Sequence, residues 1–314
     1  MTWWRDGVQS KMPSMDYAAA QDAFFQPRPA DAPPPATAAS PARSLRDAAE
    51  PIATLSWWGR PVYDRQAALG LNFLTGYVWG RGSALGEPAG SVVAAAFGVF
   101  EPGLVVSLYD EARSLATHDQ IRQTLQDGVV EAMTTVQTDD TGLDSAVDLL
   151  RRAVAATDGF GRPLTAGLLA LPWPAEPWAQ LWHGCAILRE FRGDSHLAAC
   201  VAAGVDGVSA NILTERMVGW EPLAYTATRG WSPEAMRAST ERLSDQGLLT
   251  ETGLSDEGQR FRDGIEQVTE AAMQPVVEAL GDDLERLIDA LQGWSDAVIA
   301  HGWFPPDPYK RASG

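Results

Sequence analysis

Apolar residues recur at three- and four-residue intervals through most of this chain, the spacing that places them on one face of a helix. Ser44, with Asp47 three residues later, reads as a helix cap opening the folded body. Helices are predicted through Trp57-Trp58-Gly59-Arg60, over Gln66–Trp79, and from Thr141-Gly142-Leu143 to about Ala155. The Gly-rich stretch GRGSALGEPAG between them ends without a Lys-Ser/Thr pair and follows no buried strand, so it is a loop and not a phosphate cradle. Ser232-Pro233-Glu234 starts a helix that stops at Gly247; LLTETGL then reads as a very small hairpin, and Ser255-Asp256-Glu257 caps the next helix. Beyond it, Val268, Ala272, Val276 and Leu280, then Leu284, Leu287, Leu291 and Trp294, form apolar stripes of the kind that build a core or a subunit interface.

The richest stretch is LWHGCAILREFRGDSHLAACVAAGVDGVSANILT, Leu181 to Thr214. Gly193-Asp194 is expected to end one helix and start another. From Leu197 the pattern reads as two short helices with a turn, with small Cys200 followed by Gly204 and then Val205, Ala210 and Leu213 at buried spacings. Ala94 and Gly98 repeat this signature, with Val99 and Leu104 falling on Val205 and Ala210 at one constant offset. Downstream, THDQIRQTLQDGVV matches SPEAMRASTERLSDQGLL, and Thr141-Gly142-Leu143 matches Thr252-Gly253-Leu254 at nearly the same offset. The fold class expected is therefore mainly α: an internally duplicated, winged-helix-like, pseudo-dimeric architecture with small β-hairpin wings. Its parts would be a Pro-rich extension over 1–43, a first repeat over 44–158, and a second repeat with C-terminal helices over 159–314. Ala94–Leu104 should superpose on Cys200–Ala210.

Charge decides what such a scaffold can bind. The chain has 41 acidic against 24 basic residues, a formal net charge of −17 over 314 residues. DNA affinity comes mainly from Lys and Arg on phosphates. The expected wing has one Glu and no cation, and the helix before it sets Glu234, Glu241 and Asp245 against Arg237 and Arg242. Nucleic acid and anionic membranes are thus unexpected partners. No run of about 18 apolar residues offers a membrane span, MTWWRDGVQSK lacks a secretory pattern, and two cysteines make neither a disulfide framework nor a zinc site. A cytoplasmic protein with buried thiols is expected. Residues 27–41 hold six prolines, and ahead of them Trp3, Trp4, Tyr17, Phe24 and Phe25 suggest a tail that docks on its own body or on another subunit, which allows a homodimer.

Charges inside an apolar run must be paired, hydrated or used. His183, Glu190 and Asp194 fall near one helical face, and Arg189, Arg192 and His196 on a neighbouring stripe. His183 and His196 suit acid–base chemistry with Glu190 or Asp194 orienting them. Arg189 and Arg192 suit the forked recognition of a carboxylate or phosphate. Trp182, Tyr77, Trp79 and Arg81 would complete a ligand cavity, Tyr77 and Arg81 being the first-half partners expected for His183. The same residues also suit a purely structural network at a helix junction. No metal and no cofactor is expected, and no nucleophile elbow or dinucleotide fingerprint stands out.

GRPLTAGLLALPWPAEPWAQLWHGCAILREFRGDSHLAACVAAGVDG, followed by RGWSPEAMRASTERLSDQGLLTETG, resembles the SalK-like helix-turn-helix family of actinobacteria, as does ALGEPAGSVVAAAFGVFEPGLV. The resemblance runs over about residues 44 to 305, and its most specific part is the string joining Trp182-His183, Arg189-Glu190, Arg192-Gly193-Asp194 and His196. It implies a duplicated, winged-helix-like α-rich fold associated with natural-product biosynthesis. The expected function is a small-molecule-binding protein, or a cofactor-independent enzyme of actinomycete specialised metabolism, with its pocket between the halves. A ligand-responsive DNA-binding regulator and a scaffold acting through its aromatic tail are the alternatives.

Overall fold

The computed structural model describes residues 15–29, 39–137 and 139–312. Its helices follow one another through short connections. They are α1 (Tyr17–Phe24), α2 (Pro41–Trp58), α3 (Arg60–Ala68), α4 (Phe73–Gly82), α5 (Gly90–Phe97), α6 (Pro102–Leu115), α7 (His118–Val136), α8 (Leu143–Ala155) and α9 (Pro163–Ala170). Then come α10 (Pro177–Ala202), α11 (Gly207–Val218), α12 (Ala224–Ala227), α13 (Pro233–Asp245), α14 (Asp256–Ala272), α15 (Gln274–Leu280), α16 (Leu284–Ala300) and α17 (Pro308–Ala312). The mainly helical expectation holds. Several boundaries differ: α2 is capped by Ser40, which accepts from Arg43 N, and not by Ser44. The helix expected over Gln66–Trp79 is two, parted by a turn in which Asn72 and Thr75 form a capping box.

Two apolar clusters organise the chain. The larger gathers α1 to α9, the first half of α10, and α15 and α16 around α2, whose Leu45, Ala48, Ala49, Ile52 and Leu55 are buried. Small Ala48 and Ala49 let neighbouring helices approach closely, and α10 and α16 flank α2. The smaller cluster comprises Ala199, Cys200, Val205, Val208, Ile212, Leu213, Ala227, Met236, Leu243, Leu248 and Ile265. It is a helix-turn-helix module of α11 to α13 closed by α14. Residues 273–304 return to the larger cluster, so the apolar groupings do not follow a division at residue 158. The last stripe is buried as expected from Val276 to Trp294, but Val268 is 59% exposed.

The expected break at Gly193-Asp194 is absent: α10 runs unbroken for 26 residues. A mid-helix glycine costs only about 1 kcal/mol, and burial of Leu188, Phe191, Ala199 and Cys200 on either side of it offsets that. Asp194 caps a helix, but not its own. Its Oδ2 accepts from Thr165 N and Thr165 Oγ1, both at 2.9 Å, at the start of α9.

The β-hairpin wings are also corrected. Among the described residues no strand forms; one antiparallel bridge joins Leu249 to Leu254, with Thr250 N donating to Gly253 O at 2.9 Å. Because α13 ends at Asp245 and α14 begins at Asp256, the chain outside the bridged leucines is too short for a ladder. In the first half, α8 follows α7 with Gly142 at its start and no bridge among the described residues.

The turn that follows α5 docks on the module. Val99 O accepts from Asn211 Nδ2 at 2.7 Å and from Trp231 Nε1 at 2.9 Å, and Glu101 N donates to Arg229 O at 2.9 Å. Gly98, at φ +67°, and Gly207 allow the approach: a Cβ on Gly207 would lie 2.2 Å from Gly98 O. We expect Gly207→Ala to lower stability by about 1–3 kcal/mol through this overlap. Urea denaturation checks it; an unchanged midpoint would mean that the contact is loose.

The aromatic tail residues dock on the chain's own body. Tyr17 donates to Trp58 O at 2.6 Å, and Phe24 and Phe25 sit edge-on to Trp58 at 6.0 and 5.8 Å. Trp3, Trp4 and residues 30–38 lie outside the described residues.

Candidate functional site

Three helices converge on one buried charge network. The spacing of α2 puts Arg43, Arg46 and Glu50 on one face, and α10 brings Arg189, Glu190 and Arg192 opposite them, with Arg81 arriving from α4. Arg81 forks onto Glu190, Nε to Oε1 at 2.9 Å and Nη2 to Oε2 at 3.0 Å, while Arg189 Nη1 reaches Glu190 Oε2 at 2.9 Å. Arg81 also donates to the Tyr77 hydroxyl at 3.2 Å. Trp57 lies beneath both guanidiniums, 5.5 Å from Arg81 and 4.5 Å from Arg189. Burial works against the charge of Glu190, but Arg189 and Arg81 hold its carboxyl below the usual range. Glu50 is less well served. Burial pushes its carboxyl up, and Arg189, 3.5 Å away, with Arg46 only partly opposes this.

A second cluster lies one turn along. Glu266 of α14 receives Arg192 at 2.8 Å, Arg43 at 3.1 Å and Arg262 at 3.3 Å. Glu270 takes Arg192 at 3.1 Å and the hydroxyl of Ser40. Burial would raise the Glu266 carboxyl, but the charges around it hold it down to about 2. His196 stands beside it, with Nδ1 3.1 Å from Thr269 Oγ1. Burial first, then Arg262, pushes this imidazole down to about 3, and its charge, when present, acts with those of Arg192, Arg262 and Arg43 in holding the Glu266 carboxyl down.

Tyr77 and Arg81, the first-half partners expected for His183, meet Glu190 instead, and His183 does not join them. It is 1% exposed, sits edge-on to Trp173 at 5.2 Å, and neither ring nitrogen has a hydrogen-bond partner among the described residues. Burial, with Arg122 and Arg151 nearby, lowers its imidazole to about 4. Asp194 is taken up by α9. Trp182 and Trp79 are core residues whose indole N–H groups donate to Ala53 O at 3.1 Å and Ala116 O at 3.0 Å. Missed by the sequence reading were Arg43, Arg46 and Glu50, and Arg262, Glu266 and Thr269. Both sets repeat at three and four residues along one helix, a signal that was available.

These clusters wall a cleft between the body and the helix-turn-helix module, with about 1080 Å³ of empty space, part of it open to solvent. Arg43, Arg46, Arg81, Arg189, Arg192 and Arg262 line it, against the carboxylates of Glu50 and Glu266; Phe97, Leu197, Ala210, Met217 and Val218 give it an apolar wall. Arg81, Arg189 and Glu190 also border a smaller chamber of about 400 Å³ that Trp57, Arg122 and Trp182 complete. His183 lines neither. Among the described residues no group of three or more His, Cys, Asp or Glu is arranged to hold a metal ion. Both cysteines are free and buried. No single helix among the described residues is long and apolar enough to cross a membrane.

A helix-turn-helix family model matches residues 42–305, and the chain belongs to that family. No curated protein and no solved structure matches it.

Proposed function

Starting from membership of a helix-turn-helix family, we propose that this protein binds a small molecule in the cleft between its helical body and its helix-turn-helix module. The observation that carries the reading is the cleft itself: about 1080 Å³, walled by α2 and α10 on one side and α11 and α14 on the other, with charged and apolar surfaces facing one space. Binding is favoured over turnover by the state of the side chains. Glu190 and Asp194 are saturated by protein donors, and His183 stands outside the cleft. A cofactor-independent reaction would have to use Glu50 or His196, the cleft-lining groups whose charged forms burial disfavours. Within the family, the SalK-like branch, a duplicated winged-helix ancestry and a role in specialised metabolism are the finer assignments we propose, on the strength of the Trp182 to His196 string.

The family description favours a second reading, DNA binding. Against it, the exposed face of α13 carries Glu234, Glu241 and Asp245 against Arg237, and Arg242 is turned onto Asp206 at 2.7 Å. The test is one experiment with two arms. Native mass spectrometry of the full chain, after incubation with a small-molecule extract of its host, should show a retained mass that Thr214→Trp abolishes. Thr214 lines the cleft and bonds only its own helix, so the variant fills the space without undoing the fold. A mobility-shift assay at about 150 mM salt, near cellular ionic strength, should show no specific complex with the gene's own promoter. Nanomolar promoter binding with no retained small molecule would replace the first reading by the second.

A further inference from the structure

We propose that the cleft ligand is an organic oxyanion, a carboxylate or phosphate ester on an apolar body, with its charged group held by Arg46 together with Arg43 and Arg192. This rests on the reading of the cleft as a small-molecule site and names what that site takes.

Unused guanidinium donors on the cleft wall point to this ligand. Arg43, Arg192 and Arg262 converge on Glu266, with Glu270 as the second carboxylate, leaving three guanidiniums on two acids. Arg46 adds a fourth. Its one ion-pair partner among the described residues is Asp47, 2.8 Å from Nε but off the angle of a hydrogen bond, and Asp47 is 57% exposed; Glu50, the other acid acting on it, is shared with Arg189. Water screens Asp47, so it stabilises the cation poorly. The Nε atoms of Arg43, Arg46, Arg192 and Arg262 are all buried without a hydrogen-bond partner among the described residues. A guanidinium grips a carboxylate or phosphate through Nε and the adjacent Nη, side by side. These arginines thus keep half of the fork unused, and a buried donor left unmade is costly. In a chain of net charge −17, four arginines facing one cleft are placed against the overall electrostatic trend.

The surroundings agree with that geometry. Burial, with Arg192 and Arg43 close by, holds the Arg46 guanidinium below its ordinary value, a penalty that an incoming anion would remove. Burial disfavours the charged form of His196 on the same wall. Beyond the charges, Phe97, Leu197, Ala210, Met217 and Val218 offer an apolar bed that inorganic phosphate could not use.

Calorimetric titration of the full chain with benzoate, phenyl phosphate, inorganic phosphate, benzamide and benzylamine tests the assignment. Benzoate or phenyl phosphate should bind, and whichever is tighter tells carboxylate from phosphate; benzamide, benzylamine and inorganic phosphate should be at least about tenfold weaker. Arg46→Gln should lose at least about tenfold for the aromatic anion, and Arg46→Lys, which keeps the charge without the fork, should fall between. Circular dichroism melts of each variant establish that they fold. If benzamide binds as tightly as benzoate and Thr214→Trp abolishes both, the cleft is a ligand site and the oxyanion assignment is overturned. If none of the aromatic probes binds at about 10 mM, weaker than any specific recognition, both the assignment and the cleft reading fall.

Discussion

Glu190→Ala should lower the stability of this protein by about 3–5 kcal/mol, because it strands two buried guanidiniums. The side chains of Glu190, Arg81 and Arg189 are 7%, 6% and 8% exposed, so water cannot take over the lost interaction. Arg81 would keep the Tyr77 hydroxyl and the rings of Trp57 and Phe97 but no carboxylate among the described residues, and Arg189 would retain Glu50 at 3.5 Å. Replacing both partners, as in Arg81→Met with Glu190→Leu, should recover part of the loss, since an apolar pair carries no desolvation penalty. Urea denaturation of the three variants measures this. A loss under about 1 kcal/mol for Glu190→Ala would mean that the network is poorly coupled to folding, and Glu190 would return as a candidate for chemistry.

The second large effect belongs to His183 and is set by pH. Its imidazole is lowered from 6.5 to about 4 by burial, by Arg122 and by Arg151, with no acid among the causes. The unfolded chain takes up its proton first as pH falls, so stability is lost between pH 6.5 and about 4 and is constant below that. At 1.36 kcal/mol per unit, the loss from this group is about 3 kcal/mol. Glu215, raised to about 7 mainly by burial, works in the opposite sense, gaining stability as pH falls from 7 to 4.5. The diagnostic is therefore a difference between two proteins. His183→Leu should match the wild type within about 1 kcal/mol at pH 7.5, because no hydrogen bond is lost. It should then exceed it by about 3 kcal/mol more at pH 4. If the two stability curves run parallel with pH, the imidazole titrates normally in the folded protein and has a polar partner after all. If His183→Leu also abolishes binding of a cleft ligand, the smaller chamber reaches the histidine and the site must be redrawn around it.

These outcomes bear on how the two apolar clusters communicate. Helix α10 carries Glu190 into the body and His196 and Cys200 into the module, and α14 carries Glu266 back towards α15. An anion seated between Arg46 and Arg192 would tie α2 to α10 at the point where both clusters meet. The family's helix-turn-helix module would then be the lid of a binding site, with the body as its floor.

The sequence by itself determined the helical character, because three- and four-residue apolar spacing and good caps at Ser232 and Ser255 are local properties. It also determined that the charges between Arg189 and His196 had to be compensated, since burying them alone is prohibitive. Which groups compensate them was decided by tertiary structure alone. Beyond its neighbour Arg189, Glu190 is answered from α4, Asp194 from α9, and His196 from Thr269 on α14; these partners lie far away in the chain, and helical projection orders neighbours only within one helix. The same limit explains the break that did not occur. Gly193-Asp194 has the local chemistry of a stop and a cap, but packing along both sides of α10 outweighs the roughly 1 kcal/mol that a glycine costs. The cleft, too, was beyond reach of periodicity: it exists because turn 98–101 docks against Asn211 and Trp231, holding the module at a distance from α2 that leaves its arginines facing open space.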